Sequence, residues 1–257
     1  MINNIKRCCI LASGNSVAEG FPLGLSNYLE REVTFGINES IKFFDTTAVT
    51  FMDWCCYRDR FDLYSQHPLS IGCFDTHIGK HIEGATPCPK HDSLTLLPWS
   101  GKWNDNPLKN GLYAANLCGG FTLHLAISLG FKQIFLLGFD CCEVNGKTHW
   151  YQGIEGAGVF NDYEGKVRTG VGKHEQGNYR TSVYNNSDDS INLLWKPFEV
   201  EDVMIYNVSL DSKINVFKKI GYYGMMAILN QNKIKVNQSE VQKEIRTFLE
   251  PYNQLDK

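Results

Sequence analysis

The stretch "YAANLCGGFTLHLAISLGFKQIFLLGFD", residues 113–140, restricts the fold more than any other part of the chain. Ala114, Ala115, Leu117, Phe121, Leu125, Ala126 and Leu129 recur at helical spacing. Gly130 stands where a helix ends in a left-handed turn. Gln133 to Leu137 then run as a strand without polar alternation, closed by Gly138-Phe139-Asp140. Such a strand, directly after a helix, has to be covered on both faces, which points to a parallel sheet between helical layers.

Other apolar runs repeat the pattern. Residues 7–12, 33–35, 47–52 and 201–208 read as strands, and residues 55–66 as helix. "SLDSKINVFKKI" reads as the start of another helix, with Ser209 or Asp211 as N-cap. A charged amphipathic helix is expected at about 238–250, its Val241, Ile245 and Phe248 packing on the chain's own sheet. Residues 145–195 or so are polar, rich in Gly, Asn and Tyr, and weakly periodic, as expected of a lid-like insertion. The expectation is one α/β domain over 1–257, Rossmann-like, with a mainly parallel sheet and helices on both faces.

Four strand ends carry small or polar clusters: Ser13-Gly14-Asn15-Ser16, Asn38, Asp53 and Gly138-Phe139-Asp140. Any one of them is explained by the preference of Asn, Asp, Gly and Ser for turns. Together they describe a rim, because open parallel sheets bind ligands beyond the carboxyl ends of their strands. The first cluster follows an apolar strand as a phosphate loop does, yet "LASGNS" is neither GxGxxG nor GxxxxGK[ST].

Composition narrows the partners. A net charge of −3 over 257 residues, with no long Lys/Arg run, gives no indication of nucleic-acid binding. No apolar stretch approaches a membrane span, and the start "MINNIKRCC" lacks a signal-peptide core, so a cytoplasmic protein is expected. The nine cysteines include three adjacent pairs and no CxxC. Adjacent strand residues face opposite sides of a sheet, so each pair is expected to divide between two faces as small buried hydrophobes.

Four segments in order resemble those of a Rossmann-like transferase group. This group contains bacterial sialyltransferases that use a CMP-sugar, and the 6-hydroxymethylpterin diphosphokinase-like proteins. "LASGNS" resembles its first turn, "FGINESIKFF" its second strand ending in Asn, and "CGGFTLHLAISLGFKQIFLLGFD" its small-Gly turn, helix and strand ending in G-[IF]-D. "IYNVSLDSKINVFKKI" resembles its final strand and helix. The matching parts, 8–53, 113–142 and 203–220, make up less than half the chain.

The resemblance implies a nucleotide site built from the turn Ser13, Gly14, Asn15 and Ser16, with Asn38, Asp53, Cys118, Gly119, Gly120, Gly138, Phe139 and Asp140. It implies a glycosyltransferase whose co-substrate is a nucleotide-sugar donor. In the sialyltransferases the base is a His on the insertion and Tyr hydroxyls steady the leaving phosphate. Here these roles fall to His174 and to Tyr151, Tyr179 or Tyr184. The diphosphokinase branch implies instead Mg²⁺ held by Asp53 and Asp140 at adjacent strand ends. A nucleotide-binding protein without catalysis is the third reading. His149, between Thr148 and Trp150, is expected to pack within its loop, and His124 to be structural.

Overall fold

In a computed structural model of the chain the described residues are 5–52, 54–73, 91–115, 117–147, 149–154, 159–161, 167–169, 187–231 and 236–254. At 54–56, 159–161 and 167–169 only the backbone is described. The strands are β1 Arg7–Leu11, β2 Val33–Ile37, β3 Ala48–Phe51, β4 Ser70–Gly72, β5 Leu94–Leu96, β6 Trp99–Ser100 and β7 Leu112–Tyr113. β8 Gln133–Leu137, β9 Val159–Asn161, β10 Val167–Thr169, β11 Met204–Asn207 and β12 Lys218–Lys219 complete them. Eight form one sheet in the order β12-β11-β8-β1-β2-β3-β4-β5, and every pairing within it is parallel. β6–β7 and β9–β10 are separate two-stranded pairs.

From β1 the chain steps outward through β2, β3, β4 and β5, then returns to place β8 on the other side of β1. Strand order therefore reverses between β1 and β8. In doubly wound sheets a crevice opens at that point, beyond the carboxyl ends.

Alternate strand residues feed two cores. Cys8, Ile10, Val33, Phe35, Ile134 and Leu136 join a core with Phe121 and Leu125 of the helix Cys118–Ser128. The same core takes Ile191 and Trp195 of the helix Asp188–Trp195, and Val241 and Ile245 of the helix Gln238–Leu249. Cys9, Leu11, Phe135 and Leu137 face the second core, with Leu25, Leu29, Tyr222 and Met225. Cys8 and Cys9 thus divide between the faces, as strand geometry requires. The tail helix is capped by Asn237, whose side chain accepts from Glu240 N, and it packs on the chain's own sheet.

Two expectations need correction. "SLDSKINVFKKI" is not a helix: a turn at 210–211 leads into β12, and the helix begins at Tyr222. Neither Ser209 nor Asp211 is an N-cap. The side chains of Asn207 and Ser212 take the N–H groups of Ser209 and Ile214, offering the backbone an alternative to helix. The polar insertion is also shorter than 145–195. The chain rejoins the core at Ser187, which caps the helix Asp188–Trp195 by accepting from Ser190 N. Ile191 and Trp195 there are each 1% exposed.

His124 is structural, as expected. Its Nδ1 accepts from Tyr113 N at 2.7 Å, and its ring lies 4.1 Å from that of Trp103 at 14°. Burial lowers its pKa to about 4, which keeps the ring neutral and able to accept. Because the folded value lies below the unfolded one, this contribution is complete above about pH 6.5 and is lost as the pH falls toward 4. In urea titrations the wild type should lose roughly 3 kcal/mol more than His124→Asn over that window, since Asn keeps an acceptor and does not titrate.

Candidate functional site

β1, β2 and β8 end side by side. Leu11 pairs with Leu137 on one flank and with Gly36 on the other. Past the strand ends the ladder continues. Ala12 N donates to Leu137 O at 2.8 Å and Gly14 N to Gly138 O at 3.0 Å. Gly138 has a φ of +74°, a conformation natural to glycine, and a Cβ there would stand 2.7 Å from Val17 Cγ2. Gly14 is required for another reason. Its φ of −59° and ψ of 149° suit any residue, but a Cβ would meet Gly138 O and lie 2.6 Å from Asp140 Oδ2. One glycine on each strand end lets the two backbones touch, so the turn needs no glycine-rich run.

Asp140 locks the contact. It is 1% exposed, and its Oδ2 accepts from Ser16 N at 2.9 Å while its Oδ1 accepts from Ser16 Oγ. Burial pushes the Asp140 carboxyl above its ordinary range. The bonds from Ser16 pull it down, the charge of Asp211 adds to the rise, and the net direction is upward. Asn15 is tied as well, its Nδ2 donating to Val144 O at 2.8 Å. The backbone N–H groups of Ser13 and Asn15 have no acceptor among the described residues. They flank Gly14, the N-cap of the 3-10 helix Asn15–Leu23, which offers no side chain. Free N–H groups at such a turn are suited to an anion.

The opposite wall is the start of the helix Cys118–Ser128. It has no side-chain cap and no acidic residue in its first turn. Asn38, level with Ser13 by register, has a φ of +49°, and its side chain lies 3.6 Å from Cys118 Sγ. Asn tolerates that left-handed conformation better than most residues. Next to it Glu39 forms a buried ion pair with Arg60 and a second with Lys42 at 2.9 Å, which anchors the rim after β2. Gly119 and Gly120 allow close packing: a Cβ at 119 would lie 2.7 Å from Phe139 Cε1, and one at 120 would lie 3.0 Å from Ala115 Cβ.

Ser13, Asn38, Cys118 and Gly119 are partly exposed, and the topology places all of them at this edge. Phe139 and Asp140 differ from expectation, because their side chains face the protein. The Phe139 ring, 4% exposed, packs on Gly119 and edge-on to Trp195, and the Asp140 carboxylate is committed to Ser16. Asp53 lies outside the described residues. β3, which leads to it, is separated from β8 by β1 and β2, so the strands leading to Asp53 and Asp140 are not neighbours. Three inter-strand spacings amount to about 14 Å. Among the described residues no group of three or more His, Cys, Asp or Glu is placed to hold a metal ion.

His174, Tyr179 and Tyr184 also lie outside the described residues. Tyr151 is 4% exposed, in an aromatic cluster with Trp150, Phe43, Phe44 and Phe21. Trp150 N donates to Ser13 O at 3.1 Å, so this cluster is fastened to the first turn. His149, 8% exposed, tilts against Tyr151, in keeping with the packing role expected of it.

Asn207, at the end of β11, escaped the sequence reading as a site residue. Asn207 Nδ2 donates to Phe139 O at 3.3 Å, and Ser212 Oγ donates to the same oxygen at 2.6 Å. The signal was present, since "MIYN" ends in a polar residue just as the other rim strands do.

No protein-family model matches the sequence, and no curated protein does. The fold is similar to the structure of the MAf glycosyltransferase from Magnetospirillum magneticum AMB-1, with a TM-score of 0.53 at 10% sequence identity. The likeness covers 97% of this chain and 37% of that one, so this chain spans little more than a third of its neighbour's length. At such identity the shared property is the fold. No described helix is long and apolar enough to cross a membrane.

Gly14→Ala tests the contact between strand ends. The backbone angles accept alanine, so any loss comes from the clash with Gly138 O and Asp140 Oδ2. A destabilisation of about 1–3 kcal/mol is expected in urea unfolding. An alanine variant as stable as the wild type would show that the strand ends are not in contact.

Proposed function

We propose that the chain is a glycosyltransferase that takes its sugar from a nucleotide-activated donor. One observation carries the reading: at the reversal of strand order the first turn is bonded to the end of β8, and the N–H groups of Ser13 and Asn15 have no acceptor among the described residues. These groups, with the uncapped helix start at Cys118, make a cradle for the donor's phosphate. Asn38 faces the same edge and supplies an amide for phosphate or sugar. The fold shared with a glycosyltransferase structure agrees with the reading.

In this mechanism a base takes the proton of the acceptor hydroxyl. The oxygen attacks the anomeric carbon, the bond from that carbon to the phosphate oxygen breaks, and the nucleotide leaves with the electron pair. His174 is the proposed base. Tyr151, Tyr179 or Tyr184 steadies the leaving phosphate, and the turn's N–H groups stabilise its charge. The sequence resemblance makes a CMP-sugar the first donor to test.

Calorimetric titration with CMP- and UDP-sugars and with ATP, each with and without Mg²⁺, tests the proposal. Binding of a sugar nucleotide, with ATP bound weakly or not at all, is the expected result. Binding of none of them would overturn the reading, and tight Mg²⁺-dependent ATP binding would replace it with diphosphate transfer. Asn38→Gly keeps the left-handed backbone and deletes the amide. It should weaken the donor about tenfold, as loss of a hydrogen bond to a charged group does. Once an acceptor is in hand, His174→Ala should lower turnover by roughly 10²–10⁴ with donor affinity preserved.

A further inference from the structure

We infer that Asn207 and Ser212 form a positioning clamp that holds Phe139-Asp140 in place against the first turn, and so sets the shape of the crevice. The functional part of this inference rests on the nucleotide reading above; the structural part does not. Asn207 is fully buried and Ser212 is 3% exposed. Asn207 Nδ2 donates to Phe139 O at 3.3 Å and to Ser212 Oγ at 2.9 Å, and its Oδ1 accepts from Ser209 N at 3.2 Å. Ser212 Oγ donates to Phe139 O at 2.6 Å and accepts from Ile214 N at 3.0 Å as well as from Asn207.

The network is saturated. Both amide protons of Asn207 are used, the hydroxyl of Ser212 has its one donor and both acceptor sites filled, and the Phe139 carbonyl receives two protons. Lys213 N adds a bond to Asp140 O at 2.9 Å. The 138–140 segment is therefore held from two sides. The first turn holds it through Gly14 and Ser16, and the end of β11 with the loop that follows holds it through Asn207, Ser212 and Lys213. Neither clamp residue stands among the partly exposed residues of the edge, so each acts through the segment it holds and is a positioning residue. An Asp at 207 would keep the shape, lose both donors and set a carboxylate against a carbonyl oxygen, whereas an Ala would leave that carbonyl half satisfied.

The test uses Asn207→Asp, Asn207→Ala, Ser212→Ala and the double variant Asn207→Ala/Ser212→Ala, with Ile245→Ala as a control. Ile245 is buried on the tail helix, so its loss lowers stability without touching the clamp. Hydrogen exchange at residues 138–141 should speed up about tenfold or more in the clamp variants and stay near wild type in the control. The double variant should change little beyond the worse single, as expected for residues acting as a unit. Unchanged exchange at 138–141, or strictly additive effects, would overturn the clamp whether or not the protein binds nucleotide. Where the wild type binds a sugar nucleotide, Ser212→Ala, the mildest variant, should weaken it several-fold, and equal weakening in Ile245→Ala would overturn the positioning role. Absence of nucleotide binding by the wild type would count against the proposed function, and exchange alone would then decide the clamp.

Discussion

The structure depends on the contact between the first turn and the end of β8. Without it β1 and β8 would still pair as strands, but the backbone beyond them would diverge. Two things bring it about: two glycines that remove the atoms which would keep the backbones apart, and one buried carboxylate. Asp140 gives up solvation in order to receive Ser16, and burial wins over the hydrogen bonds in setting the direction of its pKa. The side chain most suggestive of a ligand contact is thus the one that secures the turn. The groups that the turn leaves without an acceptor among the described residues are the backbone N–H groups of Ser13 and Asn15, which carry no sequence signature of their own.

The layered parallel sheet was legible because its cause is repetitive. A central strand covered on both faces has to be apolar throughout, and 133–137 is; the division of Cys8 and Cys9 between two cores follows from the same alternation. The segment after β11 was misread because its signal is local. Ser209 and Asp211 look like helix caps, whereas Asn207 and Ser212 supply side-chain bonds that hold the chain irregular. Hydrophobic spacing cannot distinguish those outcomes, since both bury Ile214 and Phe217.

Strand-end polarity picked out residues that meet at one edge of the sheet but not the direction in which each side chain turns. Ser13, Asn38 and Cys118 lie at the open edge, and Phe139 and Asp140 turn inward. Both groups follow strands or begin helices, and only the packing of Gly119, Trp195 and Ser16 around them separates the two. The adjacency expected of the strands leading to Asp53 and Asp140 failed for a topological reason. Which strands are neighbours depends on where the chain reverses, and that is written in no single segment. The buried ion pair of Glu39 with Arg60 was equally hidden, because two charged residues far apart in sequence give no periodic sign of meeting.

The strand order also governs how the protein comes into being. β1 is made well before one of its two partners, since Arg7 pairs with Gln133. Until that distant stretch has been made, β1 has β2 on one side and nothing on the other, leaving an open edge of unpaired backbone in the middle of the future sheet. Closing it joins segments of high sequence separation, which is slow. The nascent chain therefore carries a bare flank on its central strand until Gln133–Leu137 has been made, and the reversal of strand order exists only once that flank is covered.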